Sequence, residues 1–180
     1  MSIILYNTIK RKKEIFKPLI KGEVSLYTCG PTVYDYSHIG NFRTFIFEDI
    51  LKRWLMYSGF KVNHIMNITD VDDKTIKKSN DENISLSELT QFYEIEFKKD
   101  INWLRIINAD LYPRATESIS KIILIISKLL EKEHAYIEKD GSVYFKISSY
   151  KKYGHLSKIK LIKSKYKKNN LNDEYSKESM

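Results

Sequence analysis

The order of apolar and polar positions predicts a β-α-β unit near the N-terminus. Short apolar runs at Val24 to Cys29 and at Val62 to Ile68 are typical of strands. Between them, His38 to Tyr57 has apolar residues at the helical spacings of three and four, and Gly59 follows as a stop signal. The apolar positions of this helix are Phe42, Phe45, Ile46, Ile50, Trp54 and Leu55. A right-handed crossover would set the two strands parallel, so we expect an α/β fold.

Further elements are predicted on both sides of this unit. Ile3 to Tyr6 favours a strand, and Lys10 to Lys21 favours a polar connection. Ser85-Leu86-Ser87-Glu88 is a capping box, which predicts a helix running to about Leu104.

The last third of the chain predicts a helix and a hairpin. Thr116 starts the helix, whose apolar stripe we expect to be core. The stripe consists of Ile119, Ile122, Ile123, Ile126 and Leu130. Two strands, Ala135 to Ile137 and Val143 to Ile147, are joined through the turn pair Asp140-Gly141.

The carboxyl ends of the two parallel strands are the expected ligand site. Cys29-Gly30 follows one strand and Thr69-Asp70 follows the other, and ligands of such sheets bind beyond these ends. The segment from Cys29 to Asn41 leads from the strand into the helix, where unpaired N–H groups and the helix dipole favour phosphate. The two stretches should therefore meet at one site.

Three residues at the helix start suit a nucleotide. His38 and Asn41 lie three apart, so both can donate to one anion, and Gly40 has no Cβ, so a planar base could lie against it. His38 and Asn41 could instead merely cap the helix. Asp70, Asp72 and Asp73 more simply cap the next helix than bind a metal.

Composition fits a globular protein of one domain or slightly more. The 180 residues are 42% apolar and 30% charged. No apolar stretch approaches the ~20 residues of a membrane span, and the N-terminus lacks the pattern of a secretory signal. A single cysteine excludes an internal disulfide. We expect a cytoplasmic protein with no membrane or DNA partner.

The net charge of +8 comes from one segment. Eight lysines occur there without an acid: Lys151, Lys152, Lys158, Lys160, Lys163, Lys165, Lys167 and Lys168. Setting them aside leaves 23 basic against 23 acidic residues. Such a segment favours polyanions such as nucleic acid, but it contains no arginine, and the abundance of lysine throughout the chain favours a composition effect.

Five segments carry a family resemblance. His38-Ile39-Gly40-Asn41 resembles the His-Ile-Gly-His signature of class I aminoacyl-tRNA synthetases. The stretch Thr28 to Asp35 before it, Arg43-Thr44-Phe45 after it, and Asn67 to Lys74 resemble the cysteine–tRNA ligases in particular, as does Leu111 to Glu117. The similarity runs in family order from about Tyr6 to about Ser157.

The resemblance implies a fold and a reaction. Residues 1–115 would be the first half of a Rossmann-type parallel-sheet nucleotide-binding domain, and residues 116–180 would start a connective insertion, lysine-rich from about 151. The reaction would be ATP-dependent activation of cysteine and its attachment to tRNA(Cys).

The resemblance also implies residue roles. His38 and Asn41 would act on the α-phosphate as transition-state donors, with Gly30, Thr32 and Gly40 also holding ATP, whereas Cys29 and Thr69 would select the amino acid. Cys29 would also be one of four zinc ligands, and zinc discriminates a thiol from a hydroxyl.

Departures from the family pattern suggest an N-terminal part that is inactive alone. The other zinc ligands, the Lys-Met-Ser-Lys-Ser signature and the anticodon-binding region do not occur in the 180 residues, and His64, His134 and His155 do not match the family's motifs. One alternative is a non-catalytic remnant with weak nucleotide or tRNA affinity. Another is a ligase joining cysteine to a small amino sugar, although Asn67 to Lys74 is more similar to the tRNA ligase.

Overall fold

A computed structural model describes residues 2–157 of the chain, which form two compact units. The first unit is Phe16–Lys128, and the second combines Ile3–Ile15 with residues 129–157. The strands are β1 (Ile4–Asn7), β2 (Lys12–Ile15), β3 (Glu23–Thr28), β4 (Lys61–Met66), β5 (Ala135–Ile137) and β6 (Val143–Phe145). The helices are α1 (Ile39–Tyr57), α2 (Asp73–Glu82), α3 (Leu86–Trp103) and α4 (Ile119–Glu131).

The centre of the first unit is a parallel sheet, which confirms the predicted α/β fold. β3 and β4 pair in parallel, from Glu23 opposite Lys61 to Thr28 opposite Met66, with α1 as the crossover. A third extended segment, residues 111–115, runs parallel to the other side of β4 and its continuation. There the Ile68 N–H donates to the Pro113 carbonyl (2.9 Å), and the Ala115 N–H donates to the Ile68 carbonyl (3.1 Å). β4 is therefore the middle strand, with polar sequence motifs following each strand end.

The core forms where α1 and α3 cover this sheet. Its buried residues are Val33, Phe42, Phe45, Met66, Ile68, Phe97, Ile101, Ile106 and Ala109. The apolar residues predicted for α1 lie on two faces of the helix. Phe42, Phe45 and Leu55 are buried, whereas Ile50 and Trp54 are exposed. Helical spacing alone located the helix correctly but included residues from a second, exposed face.

A buried ion pair fixes the third extended segment to α3. Glu94 lies in α3 with only 4% of its surface exposed, and both its carboxylate oxygens accept from the Arg114 guanidinium, at 2.8 and 3.0 Å. Lys98 donates to the same carboxylate at 2.6 Å, and Glu117 accepts from Arg114 on the exposed side. Burial favours the neutral acid, but the donors outweigh it and hold the pKa of Glu94 below its ordinary value.

The N-terminal strand is paired, where the sequence predicted a polar connection. Residues 10–21 were expected to be irregular, but they include β2, which forms an antiparallel hairpin with β1, from Ile4 opposite Ile15 to Asn7 opposite Lys12. Arg11 has a positive φ of 56° in the turn, a conformation for which glycine or asparagine is the usual signal. The missing turn signal explains the error.

The predicted C-terminal hairpin is present and belongs to the second unit. β5 and β6 pair antiparallel, from Ala135 opposite Phe145 to Ile137 opposite Val143. The turn contains Gly141 with φ of +85°, and the Ser142 N–H donates to the Asp140 carboxylate at 3.0 Å. The Asp-Gly pair was therefore a correct turn signal.

The expectation that the α4 stripe is core is wrong. No residue of this helix is buried, and Ile123 exposes 57% of its surface. Periodicity shows that a helix is amphipathic, but it does not show what covers the apolar face. Among residues 2–157, no helix combines the length and apolar content needed to cross a bilayer.

Two sequence predictions are not decided by these elements. The family boundary between residues 115 and 116 stays a prediction. Most of the lysine-rich segment, from Lys158 onward, lies outside the described residues.

Candidate functional site

The ends of β3 and β4 meet, as predicted, and the loops after them remain paired. The Thr69 N–H donates to the Pro31 carbonyl (3.0 Å), and the Val33 N–H donates to the Thr69 carbonyl (3.1 Å). Thr32 and Thr69 therefore lie side by side in a parallel bridge. Val33 and Ile68, 1% and 0% exposed, anchor the two loops in the core. The structure thus brings together residues 37 positions apart in sequence.

Gly30 and Asn67 form the closest approach between the two loops. A Cβ built on Gly30 would lie 1.8 Å from the Asn67 carbonyl oxygen and 2.8 Å from Cγ of Met66. The Gly30 N–H donates to Oδ1 of Asn67 (3.3 Å), and Nδ2 of Asn67 donates to the Thr69 hydroxyl (3.2 Å). Any side chain at position 30 would force the strand ends apart, so glycine is required there.

Cys29 is exposed and unpaired at the end of β3. Its thiol makes one long contact, 3.7 Å from Sγ to the Gly30 carbonyl oxygen. Within residues 2–157, no three side chains of histidine, cysteine, aspartate and glutamate are grouped so that they could hold a metal ion. The described residues therefore do not make up a tetrahedral zinc site, although Cys29 is accessible as one ligand.

His38 and Asn41 cap α1, and the cap orients their remaining donors. The Gly40 N–H donates to Nδ1 of His38 (3.0 Å), and the His38 N–H donates to Oδ1 of Asn41 (3.0 Å). Because Nδ1 accepts, the proton of the neutral imidazole lies on Nε2. Because Oδ1 accepts, the two amide hydrogens of Asn41 remain for another acceptor. Capping and anion binding, weighed as alternatives from sequence, are compatible in this geometry.

Gly40 makes room for His38. A Cβ on Gly40 would lie 2.8 Å from Cε1 and 3.0 Å from Nδ1 of the His38 ring, with no other contact within 4 Å. Both ring atoms belong to an exposed side chain that can move. The sequence predicted that a base lies against Gly40; the structure gives this glycine a second reason, which is the position of the imidazole.

The loop between the strand end and α1 is held from outside by α2 and α3. Tyr36 packs edge-on against Tyr93, with ring centroids 5.3 Å apart. Nζ of Lys78 donates to the Tyr93 hydroxyl (2.9 Å) and lies 3.6 Å from the Asp35 carboxylate. Hydrogen bonding to Tyr93 raises the pKa of Lys78, which stays cationic. These contacts connect the His38 turn to the helical layer.

A buried polar cluster lies directly before Cys29. The Thr28 hydroxyl and Nε2 of His64 are 2.9 Å apart, linking β3 to β4. His64 is 2% exposed, and its burial, followed by the nearby Lys52 cation, lowers the pKa of the imidazole. Burial also raises the pKa of Glu48 on α1, although a hydrogen bond with Thr28 lowers it by a smaller amount. His64 is thus a neutral strand-to-strand link, not a metal ligand.

Asp70, Asp72 and Asp73 do not all serve the same helix. Asp72 accepts from the Thr75 N–H (2.9 Å) at the start of α2, and Asp73 lies in its first turn. Asp70 instead accepts from the backbone N–H of Thr116 (3.0 Å) and from the Thr116 hydroxyl. The prediction is confirmed for Asp72 and Asp73. It is wrong for Asp70, because the third extended segment brings Thr116 beside it.

Sequence reasoning overlooked Asn67 and the His64 link. Asn67 belongs to a motif that carries the family resemblance, and its side chain bonds to Tyr27, Gly30 and Thr69. The available signal was its place, since a polar residue directly after a buried parallel strand lies at the ligand edge of the sheet. His64 offered no comparable signal.

Comparison with known proteins agrees with this geometry. A family model described as tRNA synthetases class I (C) catalytic domain matches residues 15–180. A cysteine–tRNA ligase of Chlamydia felis is 51% identical over 179 residues, covering 99% of this chain and 37% of that protein. One of Methanosarcina mazei is 53% identical over 155 residues, covering 86% of this chain and 33% of that protein.

The match extends over the whole chain but over part of each relative. A cysteine–tRNA ligase of Chlamydia muridarum is 47% identical over 180 residues, covering 100% of this chain and 38% of that protein. The chain thus spans about a third of the length of these relatives, between 33% and 38%. With a family model over nearly its whole length and a parallel sheet that positions the first signature, the chain belongs to the class I tRNA synthetases, in the family of the cysteine–tRNA ligases.

Proposed function

We propose that this site serves the ATP-dependent activation of cysteine and its attachment to tRNA(Cys) in the cytoplasm. The relatives that match the chain are named cysteine–tRNA ligases. The observation that carries the proposal is the pairing of two loops, one with the exposed thiol of Cys29 and the other with Thr69, of which the first leads into the His38–Asn41 helix start. A group for the amino acid and a group for phosphate on neighbouring loops are what adenylate formation needs.

The phosphate half of the site is the α1 N-terminus. Nε2–H of His38 and the side-chain amide of Asn41 are donors next to the positive end of the helix dipole, whereas the N–H groups of residues 40–42 bond within the cap. Charge builds up on the α-phosphate as a carboxylate attacks it, and fixed donors stabilise that charge without a proton transfer. His38 and Asn41 are therefore the proposed catalytic residues.

The amino-acid half of the site is formed by Cys29 and Thr69. In the proposed reaction Thr69 would offer its hydroxyl to the substrate. Cys29 would supply one zinc ligand. Zinc would supply thiol recognition when bound. The described residues hold no group of three potential ligands, so we derive no step through the metal.

The remaining proposed ATP contacts are Gly30, Thr32 and Gly40. Thr32 faces Thr69 across the loop pairing, and its side chain is partly exposed. The Gly30 N–H already bonds to Asn67, so any contact of Gly30 with ATP would involve its Cα or its carbonyl. Gly40 would act through His38, whose ring occupies the space beside it.

ATP titration of the chain with single and double variants tests this proposal. We expect weak binding of Mg-ATP, reduced about tenfold or more by His38→Ala, because a hydrogen bond to a charged group contributes roughly 1.5–3 kcal/mol. Gly40→Ala should weaken binding as well, because its Cβ displaces the imidazole. Calorimetry gives the affinities, with exposed His155→Ala as the matched control.

The double variant distinguishes the two roles of Gly40. If Gly40 acts through His38, the variant carrying both changes should bind ATP no more weakly than His38→Ala alone. Losses that multiply would show instead that Gly40 contacts the base directly. No ATP binding by the unaltered chain would contradict a nucleotide site in these residues.

A further inference from the structure

One side chain, Asn67, joins the two loops of the site. Its Oδ1 accepts from the Tyr27 hydroxyl (3.0 Å) and from the Gly30 N–H (3.3 Å), and its Nδ2 donates to Oγ1 of Thr69 (3.2 Å). A backbone N–H can only donate, so the amide atom facing Gly30 must be the oxygen. The orientation of the Asn67 amide is thereby fixed, and nitrogen faces Thr69.

This orientation determines what the Thr69 hydroxyl can do. Since Oγ1 of Thr69 accepts from Asn67, the hydroxyl hydrogen points away from Asn67. Among the described residues, no other hydrogen bond is formed by this hydroxyl. Thr69 is partly exposed, next to Thr32 at the strand ends. The hydroxyl is thus presented as a donor to a polar ligand.

The backbone of Asn67 has a second effect on the same site. Its carbonyl oxygen lies where a Cβ of residue 30 would be, so the Cys29–Gly30 turn lies against β4 without a spacer. Both the carbonyl and the amide of Asn67 therefore fix the separation between Cys29 and Thr69.

We propose that Asn67 is a positioning residue, which holds the Cys29–Gly30 turn beside Thr69 and directs the Thr69 hydroxyl towards the ligand. The identity of that ligand, the amino acid cysteine, rests on the proposed function. Asn67 itself makes no contact with substrate in this account. Its effect on binding passes through Thr69.

Substitution of Asn67 by aspartate distinguishes two roles of this side chain: directing the Thr69 hydroxyl and holding the strand ends together. An aspartate carboxylate keeps the acceptor for Gly30 and Tyr27, but it cannot donate to Thr69. The Thr69 hydroxyl would then turn round and donate to the carboxylate, so it would be lost to the ligand. Asn67→Ala removes both functions, and Thr69→Val removes the hydroxyl itself.

The test measures L-cysteine affinity of the chain by NMR titration under reducing conditions. Asn67→Asp and Thr69→Val should each weaken binding about 3–10-fold, as expected for one hydrogen bond. The variant carrying both changes should be no weaker than Thr69→Val alone. Asn63→Asp, an exposed position on β4, is the matched control for the added charge and should bind as the unaltered chain does.

Two readouts without ligand accompany the titration. Amide hydrogen exchange at Gly30 should stay slow in Asn67→Asp and become faster in Asn67→Ala. Scalar couplings of Thr69 should show one χ1 rotamer in the unaltered chain and averaging in Asn67→Ala. These readouts also show that the variants are folded.

The outcomes separate this inference from the proposed function. Unchanged cysteine affinity in Asn67→Asp, or losses that multiply in the double variant, would overturn the inference. If the unaltered chain binds no cysteine, the proposed amino-acid site is contradicted. The Thr69 couplings then decide whether Asn67 positions Thr69. Averaged couplings in Asn67→Ala support the inference, and a single χ1 rotamer in that variant refutes it.

Discussion

At the scale of single residues, two glycines of the site lack a side chain for different reasons. At Gly30 the missing Cβ leaves room for backbone, because the Asn67 carbonyl oxygen fills the space at 1.8 Å. At Gly40 the missing Cβ leaves room for an exposed imidazole, which can move. The same residue type therefore preserves the fold at one position and a side-chain orientation at the other.

Alanine at the two positions should separate these effects. Gly30→Ala should lower the free energy of unfolding by about 1–3 kcal/mol or more, because buried backbone must shift. Gly40→Ala should change it by less than about 1 kcal/mol, because the helix propensity of alanine offsets the weakened bond between the Gly40 N–H and the capping imidazole. Urea unfolding at neutral pH measures both. Equal stability of the two variants would show that the strand ends can part freely.

His64 gives the fold a dependence on pH. Its pKa in the folded protein is below the ordinary value of 6.5, mainly through burial. Below about pH 6.5 the unfolded chain therefore binds a proton that the folded chain resists, and the free energy of unfolding falls as the pH falls. Glu48 has a raised pKa and acts in the opposite direction.

His64→Gln should reduce this dependence. Glutamine can still pair with the Thr28 hydroxyl, but it does not titrate. Between pH 7.5 and 5.5, the variant should lose less stability than the unaltered protein, as measured by urea unfolding at each pH. The influence of Glu48 is present in both proteins and cancels in the comparison. Parallel pH profiles would mean that His64 is not the titrating group.

At the scale of elements, an ion pair helps to hold the segment 111–115 beside β4. Its backbone pairs with β4 and Ile68, but the side-chain anchor is the Arg114 guanidinium on the buried Glu94 carboxylate. Removing one partner of a buried pair leaves a charge without compensation, which costs more than the pair itself contributes.

Arg114→Met should destabilise the protein by about 1–3 kcal/mol at pH 7, because Glu94 would remain buried with Lys98 alone. The cost is smaller than for a fully buried pair, because 38% of the Arg114 side chain is exposed to water. The lowered pKa of Glu94 contributes stability above its ordinary value of 4.5 that is lost as the pH falls. The difference in the free energy of unfolding between Arg114→Met and the unaltered protein, measured by urea unfolding, should therefore be smaller at pH 4 than at pH 7. Glu117→Gln, which removes the exposed partner of the same arginine, should cost less than ~1 kcal/mol.

Elements with strong local signals were the predictable ones. The capping residues Ser85 and Asp72 and the turn residue Gly141 each lie where the sequence indicated. β2 was not predictable, because it alternates weakly and its turn uses Arg11 in a left-handed conformation. The exposure of α4 was not predictable either, since it depends on what packs against the helix and not on the helix itself.

The candidate site was also predictable only in part: the sequence indicated where it lies, but not the side-chain bonds within it. Parallel strands separated by one helix must end at the same edge, so the meeting of the loops that carry Cys29 and Thr69 followed from the pattern. The bonds of Asn67 and the His64–Thr28 link did not, because they depend on side-chain orientation across the sheet.

At the scale of the whole molecule, the chain carries one of the two class signatures. Donors from the Lys-Met-Ser-Lys-Ser loop, which the family resemblance implies for the pyrophosphate side, do not occur in the 180 residues. Removing such a donor typically costs ~10²–10³-fold in rate. We therefore expect the 180-residue polypeptide to show no cysteine-dependent pyrophosphate exchange.

That expectation is checked with labelled pyrophosphate, ATP and cysteine, using a longer family protein as the positive control. Robust exchange by the 180-residue chain would show that these residues suffice for activation. In an active longer protein, a serine at the position of Cys29 should impair cysteine use far more than ATP binding, because the phosphate donors of α1 are left in place.

The Thr28–His64 hydrogen bond has an evolutionary consequence. Replacing Thr28 leaves the buried His64 imidazole without this bond, which costs about 1–3 kcal/mol, whereas replacing both partners by apolar groups of similar shape costs less. Single changes at these positions should therefore be eliminated, and joint changes should survive. Across related sequences, positions 28 and 64 are expected to covary, drifting together between a polar pair and an apolar one while Cys29 next to them stays constant.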